Sequence, residues 1–120
     1  MNLDFIKDYP PQWQKQVSQY LAGRRRNFDI KPQLEGTGFQ KAVWREMMKI
    51  PFGETRTYQQ LAAAIGRPKA MRAVGTACGK NRYPIIVPCH RVVATGGIGG
   101  FSLGLELKRQ LLKLEGVVIE

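Results

Sequence analysis

Residues 57–80, TYQQLAAAIGRPKAMRAVGTACGK, decide the fold. Thr57 reads as a helix cap, since its hydroxyl can accept the backbone amide three positions on. Leu61, Ala62 and Ile65 then recur on one face of a helix running to about Ile65. Gly66-Arg67-Pro68-Lys69 breaks that pattern, and another helix runs from about Ala70 to Cys78 or Lys80. Two short helices joined by a tight, Gly-containing turn make a helix-turn-helix. The second helix carries Arg72 among small residues: Ala70, Ala73, Gly75, Thr76 and Ala77. Gly75 and Gly79 weaken a helix interior, which makes sense where a backbone must come close to something else.

Outward from this unit the pattern stays mainly helical. Thr37 caps a preceding helix whose stripe is Phe39, Val43, Trp44, Met47 and Ile50, ended by Pro51. Pro10-Pro11 opens an earlier one with Trp13, Val17, Tyr20 and Leu21 at helical spacing and Gly23 as its stop. Arg24-Arg25-Arg26 follows that helix end, where cations suit the dipole, and reads as a solvated run. Phe28, Ile30 and Leu34 alternate with polar residues as a short extended segment. Downstream, Asn81–Pro84 is a loop, Ile85-Ile86-Val87 a short buried strand, and Arg91–Ala94 a second extended piece. A glycine-rich loop (95–100) precedes a last helix from Leu103 to Leu114, and Val117-Val118-Ile119 ends extended. The expectation is an α+β fold: a mainly helical, winged-helix-like domain of about five helices, with short strands around Cys89.

With 120 residues, 43% hydrophobic and 23% charged, the chain fits one compact domain and excludes disordered or fibrous classes. No apolar run reaches the roughly 20 residues that span a bilayer, and the N-terminus lacks signal-peptide character. The chain is expected to be soluble, with no membrane partner. Lys and Arg number 19 against 9 Asp and Glu, a net charge of +10. Between Thr55 and Leu105 there is no acid, while Arg56, Arg67, Lys69, Arg72, Lys80, Arg82 and Arg91 all fall inside. One sign of charge over such a stretch suits a polyanion, above all nucleic acid. A solvated face is the plainer alternative.

Chemistry concentrates at Pro84–Val93, where Cys89 lies beside the single histidine, His90. A thiol becomes nucleophilic when a base, a cation or N–H donors favour its thiolate, and His90 and Arg91 are candidates to supply that. Neighbours in a continuing strand point to opposite faces, so either Pro88 forces a turn or a water bridges thiol and imidazole. Taken alone, an inert core thiol beside a structural histidine is the commoner reading. Cys78 lacks a nearby acid–base partner and reads as a packing residue. A zinc site from Cys78, Cys89 and His90 lacks paired spacing and a fourth ligand, so no metal is expected.

Pro88-Cys89-His90-Arg91-Val92 resembles the active-site signature of the O6-alkylguanine-DNA alkyltransferases (methylated-DNA–protein-cysteine methyltransferases). The similarity extends in order and spacing through Thr37–Gln40, Val43-Trp44, Ile50–Glu54, Thr57–Ala62, Arg72–Gly75, Asn81, and Leu111-Leu112 to Glu115-Gly116. The resemblance implies irreversible, single-turnover transfer of an alkyl group from guanine O6 to Cys89, without cofactor. It makes His90 the base acting through a water, oriented by Glu115, and Asn81 the holder of the turn before Cys89. It places Arg72 in the space of the extruded base and gives Tyr58 the rotation of the nucleotide and a donor to the ring. It sets Ala70, Ala73, Gly75 and Arg91 against the minor groove of double-stranded DNA. The pocket would be formed by Val92, Ser102, Phe101 and Leu103, beside Ile85–Val87.

Phe101 stands where many members carry Tyr, and Leu103 where a Gly is common, which bears on rate and alkyl range. Residues 1–36 read as the last helix and linker of the family's N-terminal domain, and 37–120 as the alkyltransferase domain. A monomer is expected, in the cytoplasm near the nucleoid or in a nucleus. Two other functions compete. Alkyltransferase-like damage sensors share the fold and flipping helix but carry Trp in place of the cysteine. A plain winged-helix regulator would need no Cys89–His90 pair.

Overall fold

A computed structural model describes residues 1–119. A 3-10 turn (Asp4–Asp8) leads into α1 (Pro11–Leu21) and, after a long connection, α2 (Gly38–Met48). Then come β1 (Arg56–Thr57), α3 (Tyr58–Ala64), α4 (Met71–Gly79), a 3-10 turn at Cys89–Arg91, β2 (Val92–Val93) and α5 (Leu105–Leu114). The two strands pair in parallel, Arg56 with Val92 and Thr57 with Val93. This is a mixed, mainly helical fold with a helix-turn-helix. No helix among the described residues is long and apolar enough to cross a membrane.

Local chemistry sets these boundaries. Thr37 and Thr57 each cap their helix reciprocally: the hydroxyl accepts from the N3 amide, while the Gln40 or Gln60 side chain accepts from the cap amide. Past the Ile65 cap of α3 comes Gly66, whose φ of +76° suits glycine. The Gly66 amide donates to Ala63 and the Arg67 amide to Ala62, turning the chain into α4. The Trp44 indole donates to the Ala77 carbonyl at 2.9 Å and locks α2 against α4.

Two apolar clusters form the core. One gathers Val43, Trp44, Met47, Leu61, Val74 and Ala77 with Val87, Cys89 and Val92. The other joins Tyr9, Val17, Tyr20 and Ile30 from the first thirty residues to Ile85, Ile86, Leu107 and Leu111. The Cys89 turn therefore sits where the helix-turn-helix meets the N-terminal segment and α5.

Several expectations need correction. Ile85–Val87 is a buried turn, with Ile85 at φ +75°, a backbone region that β-branched residues rarely enter. The turn is held by the Tyr9 hydroxyl donating to Pro84 O at 2.8 Å and the Val87 amide donating to Tyr83 O at 2.8 Å. Helix α5 starts at Leu105, because Gly104, at φ +98°, cannot continue a helix. Residues 28–34 and 117–119 have no partner strand and stay irregular.

Candidate active site

The turn at Cys89–Arg91 determines what the site can do. It sends Cys89 toward α4 and the first cluster, while His90 and Arg91 enter a buried polar centre around Glu115, the C-cap of α5. His90 is fully buried. Its Nε2 lies 2.6 Å from Glu115 Oε2. Arg91 donates from Nε to Oε1 at 2.8 Å and from Nη2 to Oε2 at 3.0 Å, and its Nη1 reaches the Ile50 carbonyl at 2.8 Å. The Tyr20 hydroxyl and the Gly53 amide complete the donor set on the Glu115 carboxylate.

The protonation states follow. Burial alone would raise the Glu115 carboxyl, but donors from His90, Arg91 and Gly53 hold it far below the usual carboxylate range. Burial lowers His90, so near neutral pH its imidazole carries one proton. An ionised Glu115 requires that proton on Nε2, where it donates to the carboxylate. Nδ1 is then a bare lone pair. It is the one buried side-chain nitrogen or oxygen without a partner among the described residues, and an orphaned buried acceptor is a functional signal.

Cys89 is 5% exposed, and burial pushes its thiol up to about 11, partly offset by the Asn81 side chain and the Lys108 ammonium. The resting group is therefore a thiol that needs a base. Asn81 spans the turn ahead of it, donating from Nδ2 to Val87 O at 2.8 Å and accepting the Tyr83 amide at 2.9 Å.

Cys89 opens onto a cleft of about 200 Å³ shared with Tyr58, Gly75, Cys78, Gly79, Gly100, Phe101 and Ser102. Beyond it lies an open groove of about 740 Å³ lined by Tyr58, Gln59, Met71, Arg72 and Gly75. Tyr58 stands between the two. Arg72 and Ala73 are exposed, and Ala70 is half-buried. A Cβ at Gly79 would meet nothing, and one at Gly75 only the Tyr58 ring at 3.8 Å, so packing within the chain does not demand these glycines.

A profile described as the DNA-binding domain of 6-O-methylguanine DNA methyltransferase matches residues 38–117. The chain belongs to that family. It is 53% identical to a methylated-DNA–protein-cysteine methyltransferase of Methanosarcina acetivorans, over 85% of this chain and 66% of that one. A Mycobacterium tuberculosis OGT in complex with DNA superposes with a TM-score of 0.84 at 47% identity, covering 87% of this chain and 65% of that structure. This chain thus spans about two thirds of those alkyltransferases. The S. pombe Atl1 complex with damaged DNA containing O6-carboxymethylguanine superposes with a TM-score of 0.62 at 33% identity, covering 72% of this chain and 83% of that one.

Within this member of the 6-O-methylguanine DNA methyltransferase family, some assigned residues lie elsewhere. Arg91 is inside the protein, its guanidinium consumed by Glu115 and Ile50, and is no DNA contact. Val92 is fully buried, with its carbonyl taken by Lys108, and Leu103 is 40% exposed and outside the cleft lining. The cleft lies against α4 rather than against Ile85–Val87. Of the seven cations in the acid-free stretch, Arg91 is buried and Arg82 sits 3.7 Å from Glu35, so the field toward a polyanion is weaker than the count suggests.

Two residues escaped the sequence reading. Tyr20 donates to Glu115 from 95 positions away, which no local pattern shows. Lys108 is fully buried, and its place one turn before Leu111 and Leu112 on the apolar stripe was the available signal.

Proposed function

We propose that this chain repairs O6-alkylguanine in double-stranded DNA by moving the alkyl group to its own Cys89, once per molecule. The observation that carries this reading is the pairing of a buried thiol facing a cleft with a histidine whose free Nδ1 is backed by an ionised Glu115.

The steps balance without a cofactor. The Cys89 proton passes through a bridging water to His90 Nδ1, and the imidazolium so formed is stabilised by the Glu115 carboxylate. The thiolate attacks the alkyl carbon; the S–C bond forms as the C–O6 bond breaks, and the electron pair stays on the guanine. The Tyr58 phenol, which burial keeps protonated, hydrogen-bonds the ring as charge develops there. The proton held by His90 returns to the guanine, leaving restored base and a thioether. Because the thioether is stable, the protein is spent.

A paired base cannot reach Cys89, so the nucleotide must leave the stack, at a cost of a few kcal/mol. Arg72, exposed on α4 at the edge of the groove, fills the vacated space, while Ala70, Ala73 and Gly75 let the helix lie close to the minor groove. Ser102 and Phe101 face the extruded base in the cleft. The scheme needs no group from a second chain, which suits a monomer. Its place in the cell is where the DNA is, nucleoid or nucleus. The sensor reading loses ground on Cys89 itself, which a pure binder has no use for.

The test is the DNA product. A duplex holding one O6-methylguanine is incubated with the protein, digested, and the modified base quantified. Equimolar protein removes the methylated base and Cys89→Ser leaves it while still binding the duplex. Removal by Cys89→Ser, or more than one lesion cleared per molecule, overturns the proposal.

A further inference from the structure

Lys108 buries an ammonium completely, yet its partners among the described residues are carbonyls, with no carboxylate. A buried charge is costly unless compensated, and an apolar side chain in this stripe of α5 would serve packing better. What Lys108 touches gives it a role. Its Nζ donates to Val92 O at 2.6 Å and to Gly100 O at 2.8 Å, and lies 5.9 Å from the centre of the Phe101 ring. Val92 directly follows the Cys89 turn, and Gly100 opens the wall that carries Phe101 and Ser102. The Gly100 peptide also holds Tyr58: its amide donates to the phenol oxygen at 3.1 Å, and its carbonyl lies 3.3 Å from the same oxygen. The fit is close, since a Cβ on Gly99, at φ +76°, would stand 2.9 Å from Tyr58 and 3.0 Å from the Ala94 amide nitrogen.

We propose that Lys108 is a positioning residue that clamps the Cys89 turn to the cleft wall and, through Gly100, fixes Tyr58 over the cleft. This rests on the alkyl-transfer reading above. The same ammonium favours the Cys89 thiolate, and Cys78 of α4 and His90 of the turn also feel it. Burial lowers Lys108 to about 8, with both thiolates acting the other way. The ammonium is therefore charged near neutral pH, and its pull on the Cys89 thiolate fades as pH rises through about 8.

Lys108→Met and Gly99→Ala test this beside the wild-type chain. The first readout needs no alkyl transfer: the rate at which iodoacetamide modifies Cys89, followed by peptide mass spectrometry across about pH 7 to 9.5. Lys108→Met is expected to react about tenfold more slowly near neutral pH, with the gap closing as pH passes about 8. A merely structural lysine would give a ratio independent of pH, and that result overturns the clamp. The second readout is reaction with free O6-benzylguanine, which needs the cleft but no base flipping. Both variants should lose about 100-fold in rate. Gly99→Ala leaves the buried charge in place, so it keeps the test valid if Lys108→Met does not fold; activity within threefold of wild type for Gly99→Ala overturns the proposal. A wild-type chain that leaves O6-methylguanine intact in duplex, but with the pH-dependent iodoacetamide ratio intact, would sink alkyl transfer and leave the clamp standing.

Discussion

The surface bearing Tyr58, Arg72, Gly75 and Gly79 and the buried centre of His90, Arg91, Glu115 and Tyr20 follow opposite rules. The surface is open and built from one helix-turn-helix, with small or cationic residues close together in sequence. The centre is closed to solvent and assembled from four distant segments, and among its buried side-chain polar atoms only His90 Nδ1 is unpartnered. The surface can lose a side chain and keep its shape. The centre cannot, because each group there is desolvated against the others. On the proposed alkyl-transfer reading, recognition of damage falls to the first region and activation of the thiol to the second, so mutations in the two should separate binding from chemistry.

Glu115→Ala is the harshest way to break this division. It leaves the Arg91 charge buried without its partner, and stability should fall by about 3–5 kcal/mol in denaturant melts. Reaction with both duplex and free O6-benzylguanine should drop by at least about 100-fold, since the base loses its support. An equal loss confined to duplex would move Glu115 to the DNA side of the comparison. Arg72→Ala is the counterpart on the surface. Duplex repair should fall by about 100-fold, the scale of the flipping cost. Stability should stay within about 0.5 kcal/mol and free O6-benzylguanine should react normally. Comparable losses on both substrates would remove Arg72 from flipping.

Acid sharpens the contrast, because the centre holds His90 and Glu115, whose protonation folding shifts. The folded pKa of His90 is lowered, so as pH falls below the ordinary value of 6.5 the unfolded chain takes up a proton that the folded one refuses. That of Glu115 is also lowered, so its contribution is fully present above the ordinary value of 4.5 and is lost progressively as pH falls from there toward the much lower folded value. Both signs agree: the unfolding temperature should decline from about pH 7 to 4, more steeply below 4.5. In Glu115→Gln the steeper part should vanish, and a flat profile in the wild type would contradict the buried pair. The mildest probe is Tyr20→Phe, which removes one of several donors to the carboxylate and should cost about 1 kcal/mol in the same melts.

The two regions also differ in how far the sequence discloses them. The caps at Thr37 and Thr57, the stop at Gly66 and the stripe of α2 are local, and each appears where its residues indicate. The motif around Cys89 and the hydrophobic spacing placed the thiol in a buried setting. The turn at Ile85 did not show, because three apolar residues look the same in a buried strand and a buried turn. Arg91 looked like a free cation because its partner lies 24 positions away and nothing local announces the pairing. Lys108 was passed over because charge usually marks the outer face of a helix. Long-range compensation of buried charge is the part that emerges only when the chain is folded.

The most direct test of the central claim is the mass of the protein after reaction with a duplex carrying one O6-methylguanine. One methyl group per chain is expected, located on the Cys89 peptide, gained in a single stoichiometric step without turnover. Tight binding to that duplex with Cys89 unmodified would contradict it and make the buried centre a structural support for a damage sensor.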